Sequence, residues 1–85
     1  MNWNPETDAQ FKQLLSKIPI FMRDVAQEKV SKRASAFAGE DDRSEINEKD
    51  LVRAFFEETP FGFHGLMKTD MDALGIDYTQ YGFEK

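Results

Sequence analysis

Few side chains in this 85-residue chain have the type and spacing to do chemistry, and Arg23, in Ile18-Pro19-Ile20-Phe21-Met22-Arg23, is the strongest. A guanidinium there, one turn into a helix entered through Pro19, can hold a carboxylate of a partner or ligand through its bidentate fork. It can equally lay its stem over the preceding corner and cap carbonyls, or pair with Glu6 or Asp8. His64 is the only histidine and lies among Phe61, Phe63 and Gly65. An imidazole in such an aromatic turn can shuttle a proton, ligate a tetrapyrrole axially or simply complete the turn. Lys29, Lys32 and Arg33 form a short basic cluster that could meet nucleic-acid phosphates. Asp24, Glu28 and the acidic loop dilute it, so a solvated helix face with pairs such as Glu28 and Lys32 is the better reading.

Other chemistries lack their residues. Without cysteine there is no thiolate nucleophile, disulfide or thiolate-held cluster. Asp41-Asp42 through Glu48 offers no register with the Asp, Gly and Glu positions of a calcium loop. The glycines at 62, 65, 75 and 82 are not followed by the Lys-Ser/Thr of a phosphate loop, and no serine can be placed with His64 in a triad. No catalytic constellation, metal site or cofactor is expected.

Sixteen acids against eleven bases give a net charge of -5, which opposes non-specific binding to nucleic acid or anionic membranes. No stretch approaches the apolar length of a membrane span, and the N-terminus lacks the pattern of a signal peptide, so the expectation is a soluble cytoplasmic protein.

The elements that must position these residues are helices. Asn4-Pro5-Glu6 is a helix start, with Trp3 placed to fold back onto the first turns, and Phe11, Leu14, Leu15 and Ile18 follow helical spacing. Pro19 ends that helix near Lys17 and opens a second. Met22, Ala26, Val30, Ala34 and Phe37 fall on one arc of this second helix, Arg23 and Arg33 project near it, and Gly39 is the expected left-handed terminator. The stretch Lys17 to Ala38 therefore reads as the central helix around which the rest packs. Glu40 to Glu45 reads as a polar loop with nothing to bury. Ile46 and Asn47 then staple and cap a third helix whose apolar face is Leu51, Val52, Phe55 and Phe56, limited by Pro60. Met67, Met71 and Leu74 suggest a short fourth helix ended by Gly75. Of eleven aromatic residues, five lie between Phe61 and Phe83. That segment either closes a thin core or offers a patch to a partner. The fold class is all-α: a single domain built as a compact three-helix bundle with a short fourth helix and a docked aromatic C-terminal tail.

Trp3-x-Pro5-Glu6, Ile18-Pro19-x-Phe21-Met22-Arg23, Ala34, Gly39, Ile46-Asn47 and Val52-x-Ala54 together resemble the small C-terminal domain of the B subunit of light-independent protochlorophyllide reductase. The resemblance covers about residues 3–56 and leaves 57–85 as a C-terminal extension. It implies a compact helical domain attached to, or associated with, a nitrogenase-like reductase acting on a tetrapyrrole, without the catalytic machinery, which in that family lies mainly in other domains. Val25, Gln27 and Glu28 stand where the family carries further bases, Val30-Ser31 stands in place of its Thr-Glu pair, and the loop before Asn47 is longer and acidic. The function this implies is a non-catalytic interaction or regulatory module whose partner is a protein, with a reductase subunit as the candidate. Its contact residues would be drawn from Phe21, Arg23, Arg33, Phe61, Phe63 and His64. The alternatives are a tetrapyrrole carrier using the Phe/Met surface with His64 or Arg23, and a DNA-binding three-helix module using Lys29, Lys32 and Arg33.

Overall fold

A computed structural model describes all 85 residues. Its four helices are α1 (Pro5–Ser16), α2 (Ile20–Glu40), α3 (Glu48–Glu58) and α4 (His64–Ala73), with 3-10 turns at Phe61–Phe63 and Tyr78–Tyr81. The one departure from an all-α architecture is a minimal parallel ladder. In it β1 (Asn2–Trp3) pairs with β2 (Glu45–Ile46), Asn2 opposite Glu45 and Trp3 opposite Ile46.

Local chemistry explains most element ends. The Asn4 side chain accepts from the Glu6 and Thr7 amides at 3.0 and 3.3 Å, and Pro5 occupies the first helical position, where no amide is needed. Trp3 lies flat on Phe11, ring centroids 4.9 Å apart, so the entry to α1 is clamped from outside the helix. Asn47 and Asp50 form a reciprocal capping box at the start of α3. Thr59, extended ahead of Pro60, ends that helix. Gly75 takes a left-handed φ of 74° after α4.

The end of α2 differs from expectation. Gly39 lies inside the helix, which runs on to Glu40, and the left-handed position is taken by Asp42 with φ 56°. The Arg43 amide reaches the Ala38 carbonyl and the Asp42 amide reaches Gly39, which is the Schellman pattern moved three residues along. Aspartate tolerates this conformation because its short polar side chain can satisfy the local backbone. The following segment also does more than bridge. Ile46 is fully buried, and Arg43 grips the buried Asp50 carboxylate with both terminal nitrogens at 2.8 Å while bonding Asp41 and the Glu45 carbonyl.

The largest correction concerns which helix is central. In α3, Asp50, Leu51, Val52, Ala54, Phe55 and Phe56 are all buried, because α2, α1 and the C-terminal 3-10 turn pack on different sides of it. In α2 the buried residues are Val30, Ala34, Phe37 and Ala38, all in its second half. Helix length gives the physical reason. At 1.5 Å per residue α2 is about 31 Å long and α3 about 16 Å. The two run antiparallel: Arg43, just past the end of α2, meets Asp50, Arg53 lies over the Phe37 ring at 3.8 Å, and Arg33 meets Glu57 and Glu58. Half of α2 therefore overhangs. Met22, expected on the buried arc, is largely exposed and Ala26 only half-buried.

The tail docks on α3. Ile76 and Tyr78 are core residues, and Phe83 stacks on Phe56 with centroids 4.0 Å apart. The Tyr81 hydroxyl donates to Glu48 at 2.5 Å, and Gln10 donates to the same carboxylate at 2.7 Å. Burial first, then the bond to Glu48 and its negative charge, push the Tyr81 phenol well above the usual tyrosine range.

Candidate interaction surface

Arg23 is turned inward along the backbone of the α1–α2 corner. Its Nε donates to the Ile18 carbonyl and its Nη2 to the Ser16 carbonyl, each at 2.9 Å. The Ser16 carbonyl is the last of α1, where helical partners run out and a cation is favoured by the dipole, and Ile18 lies just beyond it in the corner. The same corner is closed by the Lys17 and Ile18 amides bonding Leu14 and Leu15. In this position Arg23 ties the first turn of α2 back to the end of α1 and the corner that follows it.

His64 performs a similar service at the end of α3. Its Nε2 lies 3.1 Å from the Phe56 carbonyl and 2.9 Å from that of Thr59, and its ring meets Phe56 edge-on. Phe61 also meets the imidazole, with ring centroids 5.4 Å apart, and is itself 87% exposed. Arg33 pairs with Glu57 and Glu58 at 3.4 and 3.1 Å, tying α2 to the last turn of α3. Lys29 and Lys32 beside it make no ion pair. With Arg33, Ala36 and Glu58 they line a shallow depression of about 240 Å³.

The predicted residues thus separate into two kinds. Arg23, Arg33 and His64 have intramolecular partners. Phe21, at 82% exposure, together with Phe61 and Phe63, has none that would bury it. Ile20, Met22, Val25 and Leu66, which the reading of candidate residues missed, extend the exposed apolar surface. A signal for part of it exists in the sequence. Phe21, Val25, Lys29, Lys32 and Ala36 recur at helical spacing on the side of α2 opposite Val30, Ala34 and Phe37, and this second stripe reads apolar and then basic.

No group of acidic or histidine side chains is arranged to hold a metal ion, and no helix is long and apolar enough to cross a membrane. A family model described as a protein of unknown function (DUF2621) matches residues 1–83. The chain belongs to the DUF2621 family. The match runs from the N-terminus through all four helices and into the docked tail as far as Phe83. No curated protein and no solved structure matches the chain.

Proposed function

We propose that the chain is a non-catalytic protein-interaction module, with the overhanging half of α2 and the Phe61–Leu66 segment as its contact surface. The observation that carries this reading is the placement of seven large apolar side chains in solvent, Ile20, Phe21, Met22, Val25, Phe61, Phe63 and Leu66, on helical elements at the end of the α2–α3 pair. Scattered exposed hydrophobes are ordinary, whereas grouped aromatic, aliphatic and Met side chains are typical of interface cores. The resemblance of residues 3–56 to the protochlorophyllide reductase domain makes a nitrogenase-like or other oxidoreductase the candidate partner.

Affinity capture under anaerobic conditions tests this, using the full chain and a Phe21→Asp, Val25→Asp variant. Recovery of an oxidoreductase subunit by the parent and not by the variant is the expected result. Equal recovery by both, or none by either, overturns the reading.

A further inference from the structure

The chain has no cysteine, so a peroxide that meets it finds sulfur only in methionine thioethers. The fold sorts its four methionines into two classes. Met67 and Met71 form the buried face of α4, with 7% and 0% of their surface exposed, and an oxidant reaches them only when the core opens. Met1 is exposed at the start of the chain, ahead of β1. Met22 is 46% exposed and stands on the overhanging half of α2, with Phe21 beside it and Val25 about one turn on. Among the seven apolar side chains of the contact surface it carries the single thioether.

We propose that Met22 is a reversible oxidation site that turns this surface from apolar to polar. The proposal rests on the interaction-module reading and names the regulation of its surface. A peroxide transfers one oxygen atom to the Met22 sulfur. The O–O bond breaks, an S–O bond forms, sulfur loses two electrons, and the peroxide leaves as water or an alcohol. A thiol-dependent methionine sulfoxide reductase reverses the step: two thiols return two electrons to sulfur and leave as a disulfide and water.

Placement makes the modification a change of surface and not of fold. The sulfoxide is uncharged, polar and a hydrogen-bond acceptor. In the free chain water satisfies it, because nearly half of the Met22 side chain already stands in solvent. The buried residues of α2, Val30, Ala34, Phe37 and Ala38, lie more than about two turns further along. A partner that covers Phe21, Met22 and Val25 meets a different situation, since it buries the S–O group against apolar neighbours with no donor in reach. At Met71 the same oxygen would enter the core itself, and there burial keeps the oxidant out.

Dilute hydrogen peroxide applied to the folded full chain, followed by peptide mass mapping, tests the site. Met22 and Met1 should each gain one oxygen at least about tenfold faster than Met67 and Met71, with the circular dichroism spectrum unchanged. On a phenyl matrix the oxidised parent should elute earlier. Its capture of an oxidoreductase should weaken about tenfold, the loss of burying the exposed half of a methionine side chain. Met1→Leu, which removes the other exposed thioether, should respond as the parent does. Met22→Leu, compared with itself before and after peroxide, should respond in neither readout. Sulfoxide reductase with dithiothreitol should restore the parent's retention. Oxidation of Met22 no faster than that of Met71, unchanged retention or capture after oxidation, or an equal response in Met22→Leu overturns the proposal. A parent that captures no oxidoreductase before treatment would sink the interaction-module reading alone, because the masses and the phenyl retention still decide whether Met22 is the oxidation site of this surface.

Discussion

Replacing Phe56 with alanine, and separately Phe21 with alanine, asks directly which helix holds the fold together. Phe56 is 93% buried, since 7% of its surface is exposed, and it is met by Phe83 and Tyr78 of the docked tail and by His64 of α4. Truncating such a ring removes its transfer free energy and leaves a cavity, about 3 to 5 kcal/mol in comparable cores. A chain of this length has about 4 to 13 kcal/mol of stability in total, at roughly 0.05 to 0.15 kcal/mol per residue, so the change removes a quarter or more of it. Phe21 has little to lose, and its replacement should stay within about 0.5 kcal/mol of the parent. Urea titration followed at 222 nm reads both. With a slope near 1 to 1.5 kcal/mol/M for so small a domain, Phe56→Ala should lower the midpoint by about 2 M or more, or leave the chain unfolded in buffer. Phe21→Ala should move it by less than about 0.5 M. Equal shifts for the two, or a larger one for Phe21, would refute the argument that α3 is the centre and that half of α2 stands clear of the core.

Four further outcomes follow from particular residues. Gly39→Ala should stabilise the chain by about 0.5 to 1 kcal/mol, since the position is helical and nothing lies within 4 Å of an added Cβ. Gly75→Ala should destabilise it by about 1 kcal/mol because φ there is +74°. Urea midpoints reversed in order would show that α2 ends at Gly39. Arg23→Ala removes two charge-assisted bonds to carbonyls at the end of α1 and should cost about 1.5 to 3 kcal/mol in thermal or urea melts, with Lys restoring only part of it. A neutral result would mean that the α1–α2 corner is held without it. The Tyr81 phenol is raised in the folded chain, so the folded state retains its proton at pH values where the unfolded chain has lost one. Its stabilising contribution is complete below about pH 10, the unfolded tyrosine value, and is lost as pH rises from there through the folded value. Stability measured against pH should therefore fall more steeply above pH 10 in the parent than in Tyr81→Phe, and parallel curves would refute a phenol raised by burial and by Glu48.

What the sequence alone decided are the features whose causes lie within a few residues. The Asn4-Pro5 start, the Pro19 corner, the Asn47 cap, the halt before Pro60 and the left-handed Gly75 each rest on short-range sterics or a hydrogen bond spanning two to four positions. Spacing likewise marked Phe11, Leu14, Leu15, Leu51, Val52, Phe55, Phe56, Met67 and Met71 as apolar faces, all of which are buried. What only the tertiary structure decided are choices among equally good local answers. Gly39 is a sound terminator by type, yet Asp42 takes the role, because the turn that follows must deliver Arg43 to Asp50 and Ile46 to the core. Arg23 carries the same guanidinium whether it meets a partner or the Ser16 and Ile18 carbonyls, and only the angle of the corner selects the latter. The second half of α2 is buried and the first half is not because α3 is about half as long. That mismatch between two distant segments has no trace in the local pattern of either, and it is what leaves Phe21, Met22 and Val25 in solvent beside Lys29 and Lys32.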